Sequence, residues 1–448
     1  MEKTLRPLTK LPYKMGKVAD VVNNIIDHIK YGQKEYIGIN PIIVDNDKNT
    51  ISIDENGDNI QILSKITIVQ NGEITDPASM ISSSTGKFGY ESKPYENAWS
   101  WVRNHSHIYV GKWNNEENTL DLRQLDDNDS HKFKDGSDAR NYISDSNNEG
   151  YNVFMKLPKF WYKDEVNEDG NLIFTISNYP VEGYNEWDDN NLIGVYESYV
   201  NISLDVPLVR SISQKDSTGN INWTNYKIYA RNNNIGKSLA EGKGFSLVTF
   251  QQHSIMAYLF YGYYGTTDSQ SICGHGTNNS EKPTGLTDNL GMKDTDSING
   301  NGTTDSKDNW KNIRFWGLEN WWGNKFEWID NLKMQNYEGL FGILDLDENV
   351  IDTHQFDTNI SRNGVIKSMK GDGKGYAFFD TLDDVEYDFL QNYTDLGIVS
   401  SNGQVAFRSY SGANSDGGVG CLNVSTSAMT FNGKRCSRLA YCGAIRIV

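Results

Sequence analysis

The chain has 448 residues, a formal net charge of −17 and a pI near 4.9. That length suits two or three domains at ~100–200 residues each, and that charge excludes a general nucleic-acid or anionic-membrane binder, which needs basic patches, while leaving glycans and proteins open as partners. With 12% aromatic residues and a mean hydropathy of −0.61, it is not a disordered chain, which would be poor in aromatics; it reads as wet and loop-rich, with rings placed for structure and contact.

Four cysteines, Cys273, Cys421, Cys436 and Cys442, make no disulfide scaffold and show no Cys-x-x-Cys zinc spacing. No run approaches ~18 apolar residues, so no membrane span is expected. The first residues, Met1-Glu-Lys-Thr-Leu-Arg-Pro7, lack the apolar core of a signal peptide. Residues 1–35 read as an N-terminal arm and oligomerising helix. Leu5 to Tyr13 is an extended, proline-bearing arm, and Lys17 to Ile29 is a helix. In that helix Val18, Val22, Ile25 and Ile29 fall at the spacing of a heptad seam. A helix this short is marginal alone, and β-branched residues along a seam favour parallel copies, a trimer among them. The same stripe equally suits packing on its own domain. Leu11 to Asp27 resembles the N-terminal anchoring segments of phage head-fibre proteins, which implies a phage capsid or tail protein as its attachment partner.

Residues 36–75 alternate apolar and polar positions: Ile42-Ile-Val44, Ile51-Ser-Ile53, Ile60-Gln-Ile62 and Ile66-Thr-Ile-Val69, broken by Asn, Asp and Gly. That pattern predicts short hairpins. It is similar to the repeating hairpins of trimeric fibre shafts, and strands this thin suit an oligomer. Residues 76–98, with Ser82-Ser-Ser-Thr-Gly86 at their centre, read as a linker.

From Trp99 the chain becomes aromatic and Asn-rich, and 99–448 is expected to form one α+β domain. Trp101 to Trp113 is a predicted strand. Its His105 and His107, two apart, would share a face, either as metal ligands between copies or as solvent-facing side chains. Leu125 to Asp129 is a solvated acidic loop. Gly150 to Lys163 and Gly194 to Tyr199 are predicted strands. Ile228 to Asn232 and Phe250 to Tyr261 are predicted helices, with Ile255, Met256 and Leu259 on one face. Gly265 to Lys307 is a loop of Gly, Ser, Thr, Asn and Asp, long enough to suggest function.

The stretch Trp310 to Asp330 holds five Trp and two Gly. Trp316, Gly317, Trp321, Trp322, Gly323 and Trp328 are the expected structural core, the rings supplying area and the glycines tight turns. Gly317-Leu-Glu-Asn-Trp-Trp-Gly-Asn-Lys-Phe-Glu-Trp-Ile-Asp330 resembles the signature of the formylglycine-generating-enzyme branch of the C-type lectin fold. That branch is shared by phage fibre tips and retroelement-diversified variable proteins. Gly150 to Lys163, Gly194 to Tyr199, the two predicted helices and Ser437 to Val448 are similar to further motifs of that group. The resemblance implies a C-type-lectin-like domain.

It also implies candidate sites. The ligand face of the variable proteins, carried over by position, comprises Ser409, Tyr410, Ser411, Asn414, Ser415, Asn423, Ser425 and Asn432. These are residue types suited to contact faces for sugars or proteins. Asn324 and Glu327 stand where relatives place a structural calcium, and oxygen ligands suit that ion; a backbone-capping role for Glu327 is the other reading. The enzymatic member of the branch holds copper between two C-terminal cysteines. Here Cys436 and Cys442 have five residues between them, and an unbroken strand would hold them roughly 20 Å apart, beyond disulfide reach. An oxidase is therefore not expected. No Gly-x-Ser-x-Gly or His-Glu-x-x-His occurs, and no carboxylate pair stands out for a glycosidase.

The expected function is a bacteriophage virion-surface fibre, head rather than tail, made in the host cytoplasm. It would be trimeric, with no cofactor beyond a calcium, and would bind a host-surface glycan or protein. The alternatives are an oxidase or hydrolase of the same fold and a capsid decoration protein with no ligand.

Overall fold

A computed structural model describes residues 42–45, 50–53, 63–68, 74–75, 97–277, 283–295, 312–335, 340–345, 348–355, 363–371, 373–383, 396–399, 404–409 and 418–448. The chain divides into a small unit, residues 1–61 with 93–96, and a large one, residues 62–92 with 97–448. The seam of Val18, Val22, Ile25 and Ile29 lies outside the described residues.

In the small unit Ile42–Asp45 and Thr50–Ile53 pair antiparallel, Ile42 opposite Ile53, as the alternation predicts. The large unit is mixed and strand-rich, with helices among several mainly antiparallel sheets.

Leu63–Ile68 belongs to the large unit, where it pairs antiparallel with Leu172–Ser177 and buries Ile66 and Ile68. Its Ser64 hydroxyl accepts from the Ala98 N–H at 2.9 Å. Trp101 to Trp113 is not one strand. Ala98–Asn104 is a helix, because Asn97 caps the Ser100 N–H at 2.8 Å and Trp99, Val102 and Arg103 fall at helical spacing on a buried face. His107–Asn114 then forms a strand. His105 ends the helix and bonds the Trp101 carbonyl, whereas His107 pairs with Asp127 at 3.0 Å. The two histidines therefore do not share a strand face.

Phe250–Tyr264 is the central helix, opened by a Thr249–Gln252 capping box and closed by Gly265 in the left-handed region. Every residue of it except Gln251 is buried, so it runs through the core rather than over it.

Two large sheets share a core cluster with the helix Trp223–Arg231. In the eight-stranded one Leu439–Cys442 lies between Asn191–Gly194 and Gly244–Leu247, and Ile445–Ile447 runs parallel to Thr119–Asp126. The last strands thus close onto the first part of the unit. In the nine-stranded sheet Phe326–Met334 is flanked by Leu340–Leu344 and Gln404–Arg408, and Leu422–Ser427 follows. No helix among the described residues is long and apolar enough to cross a membrane.

Candidate functional site

Of the Trp-rich stretch, residues 312–330 are described. Trp316, Trp321, Trp322 and Trp328 are all buried. Arg314–Phe315 and Leu318–Glu319 pair across a two-residue turn in which Trp316 (φ 48°) and Gly317 (φ 78°) both take positive φ, the pattern of a type I′ hairpin. Trp316 tolerates that conformation because Asp294 accepts its N–H at 2.6 Å while its ring packs edge-on to Tyr263. At Gly323 (φ 97°) a Cβ would stand 2.5 Å from the backbone of His275 and Gly276. The turn and the 274–277 segment therefore meet backbone to backbone, and the Trp322 indole N–H donates to the Gly274 carbonyl at 2.8 Å.

The polar residues between the rings are consumed internally. Glu319 accepts from the Gly285 and Thr287 N–H groups at 2.7 and 2.8 Å and from the Thr287 hydroxyl at 2.6 Å. It pins part of the loop that the sequence singled out for its length. Beside it Asp288 accepts from the Tyr196 and Ser213 hydroxyls. Burial raises both carboxyls, against the pull of Arg314. Asp330 accepts the Leu247 N–H at 2.9 Å and faces Lys227 and Arg231.

Glu327 is the hub. Its carboxylate takes the guanidinium of Arg408 and, at 2.6 and 3.1 Å, that of Arg438, with all three side chains buried. Arg408 lies over the Trp321 ring at 3.3 Å. Arg438 also donates to the carbonyls of Gly194, Val195, Glu319 and Asn320. Burial brings the Arg408 guanidinium down to about 10 despite Glu327. Arg438, equally buried, is pulled down by desolvation yet ends raised, because the charge and hydrogen bonds of Glu327 together with Glu197 exceed that cost. Glu197 accepts from the Lys325 N–H at 2.9 Å and the Asn324 amide at 2.6 Å, and burial next to Glu327 raises its carboxyl to about 7.

This geometry does not fit a calcium ion at Asn324 and Glu327. Both Glu327 oxygens face guanidinium groups, and the Asn324 carbonyl accepts from Thr277 at 3.0 Å. Glu197, Glu327 and Cys436 do bring ligand atoms within 4.8 Å of one another, but two guanidinium groups already neutralise that cluster. Burial holds the Cys436 thiol well above its ordinary range, away from the thiolate a metal needs. Cys442 lies on a different strand, its sulfur 3.2 Å from Lys243 Nζ. The chain bends between Arg435–Cys436 and Leu439–Cys442 rather than continuing as one strand.

Of the expected ligand face, Ser409, Asn423 and Asn432 have described side chains, none of them fully exposed. Ser409 is buried in the left-handed region (φ 62°), its hydroxyl accepting the Gly323 N–H at 3.0 Å, and Asn423 is buried in the Leu422–Ser427 strand. Neither faces solvent: one locks the Trp turn, and the other sits inside the sheet opposite Phe407. Ser425 is on that same strand. Asn432 is half-buried in the turn after it, accepting the Lys434 N–H at 2.8 Å. Tyr410, Ser411, Asn414 and Ser415 lie outside the described residues. The same turn presents Met429 and Phe431, exposed by 63% and 58%, which sequence reasoning missed. Two large apolar side chains in an otherwise polar stretch were the available signal.

The chain matches no protein-family model, and no curated protein matches it significantly.

Proposed function

We propose that the chain is a bacteriophage virion-surface fibre, with the head as its attachment point. In this reading its large unit is a C-type-lectin-like domain that displays the 410–417 segment and the 428–434 turn to a host-surface ligand, a glycan before a protein. The observation that carries it is the Glu327–Arg408–Arg438 cluster. Arg408 stands two residues before Tyr410, and Arg438 four residues after the 428–434 turn. Both are fixed to one buried carboxylate. A rigid scaffold with loops issuing from it is how binding residues are commonly carried. The charged groups of the Trp-rich stretch serve this scaffold, which favours binding over catalysis there, and the closure of the last strand beside Thr119–Asp126 is compatible with a lectin-like domain. Oligomerisation through Val18, Val22, Ile25 and Ile29 completes the reading.

Purified virions from an expressing lysate should carry the chain, seen by mass spectrometry and immunogold labelling. The purified protein should compete with virions for host cells and scatter light at three times its 50.7 kDa chain mass. Virions without the chain would sink the proposal.

A further inference from the structure

We propose that the outer face of the strands His107–Asn114 and Thr119–Asp126 carries a second binding site, for a neutral oligosaccharide. None of the residues expected to contact ligand lines it. Side chains alternate across a strand, and the register puts Leu120 and Leu122 on the core side. The opposite face sets Val110, Lys112 and Asn114 across from Arg123, Asp121 and Thr119. Along it runs an open cavity of about 650 Å³, continued by one of about 380 Å³ that shares Arg123, Phe133 and Val448. Ligand sites span roughly 300–1,000 Å³.

The lining names the chemistry. Half-buried Tyr142 and Tyr151 stand edge to face at 5.2 Å and form an aromatic wall. Such rings give rigid amphipathic area against the C–H face of a sugar. Asn114 and Asn115 add amides that both donate and accept, as sugar hydroxyls require. Three cations line the two cavities, Lys112, Arg123 and Lys134, and so do three carboxylates, Glu116, Asp121 and Asp135. A balanced lining gives no preference to an anionic or a cationic ligand. The same six charges argue against a protein partner, because interface cores are depleted in charge. Lys112 pairs with Glu149 at 2.9 Å and Arg123 with Asp135 at 2.8 Å, all four side chains more than a third exposed. Such exposed pairs contribute little by themselves, and Lys112 Nζ over the Tyr151 ring at 4.7 Å and Arg123 over the Phe133 ring at 3.6 Å place each cation where a sugar stacked beside the ring would meet it.

The test applies the full chain to an array of neutral hexose and N-acetylhexosamine oligomers beside sulfated and sialylated glycans. It is independent of the chain being a virion component. Neutral oligomers should be retained, and Tyr151→Ala should weaken them about tenfold, the loss of one good aromatic contact. Lys112→Ala, at an exposed side chain that leaves the fold intact, should weaken the same glycans. Ile235→Ser, exposed and outside both cavities, should bind as the unaltered chain does. The inference is overturned if no neutral glycan is retained, if charged glycans are preferred, or if both Tyr151→Ala and Lys112→Ala bind undiminished. It also falls if Lys112→Ala dissolves an oligomer seen by light scattering, which would assign the face to a second copy of the chain.

Discussion

Replacing Glu327 by Gln tests whether the buried charge cluster holds the large unit together. The substitution keeps the volume, removes the negative charge, and sets an amide among donors from Arg408 and Arg438. All three side chains are buried, so water cannot replace the lost partner. Removing one member of a buried ion pair costs about 3–5 kcal/mol. One carboxylate here serves two cations, which puts the expected loss at the upper end. Against a typical total of ~5–15 kcal/mol that is a third or more, and at ~2–4 °C per kcal/mol the melting temperature should fall by roughly 10 °C. Urea denaturation is the assay, with a lower midpoint at unchanged slope. Arg408→Met is the comparison: it leaves Glu327 paired one to one with Arg438 and should cost less than Glu327→Gln. A Glu327→Gln variant within about 1 kcal/mol of the unaltered chain, or one less damaged than Arg408→Met, would refute the reasoning.

Glu197 and His253 set the pH dependence with opposite signs. The folded Glu197 carboxyl is raised to about 7 from 4.5 by burial and then by Glu327. The folded state therefore keeps a proton that the unfolded chain releases, and stability falls as pH rises from about 4.5 to about 7, by ~3 kcal/mol in all. His253 is pushed down to about 3 by burial and then by Arg408, so stability is lost as pH falls from about 6.5 towards 3. Between pH 4.5 and 6.5 the two effects oppose, so denaturation midpoints should stay nearly level for the unaltered chain and rise with pH for Glu197→Gln; parallel curves would contradict the assignment. Gly323→Ala forces a Cβ onto the backbone of His275 and Gly276 and should cost about 2–4 kcal/mol; an unchanged melting curve counts against that backbone contact. Asp164, buried, accepts the Gly373 and Gly375 N–H groups at 2.8 and 2.7 Å, so Asp164→Asn should quicken tryptic cleavage after the exposed Lys374, and equal rates would mean the loop is held by other bonds. Added calcium should leave the melting temperature unchanged, and a rise that grows with concentration would restore an ion at Asn324 and Glu327.

The parts of the fold legible in the sequence are those whose signal is local. Ile255, Met256 and Leu259 stand at helical spacing within Phe250–Tyr264, and the Trp–Gly alternation announces a folded turn before any partner is known. What the sequence hides depends on residues far along the chain. Leu63–Ile68 looks like its hairpin neighbours, and only the Leu172–Ser177 strand, more than 100 residues away, draws it into the large unit. Glu327 reads equally as a cap or a cation ligand, because its guanidinium partners stand 81 and 111 positions downstream. His105 and His107 share a face only if the chain is extended through both, and Asn97, capping from eight residues ahead of His105, makes it helical instead.

The candidate site shows the same division from the opposite side. Ser, Tyr and Asn are chosen for contact faces because they bond adaptably, and that property serves a buried turn equally well. Ser409 illustrates it: the hydroxyl expected to meet a ligand accepts the Gly323 N–H, while its carbonyl accepts from the Cys421 thiol at 3.6 Å. Val419 donates its N–H to the Ser269 hydroxyl at 3.0 Å. Ser409 and Val419 are thus each tied to groups elsewhere in the large unit. Residue type alone does not separate these two uses; the left-handed backbone of Ser409 (φ 62°) and the buried Gly323 N–H that its hydroxyl accepts do.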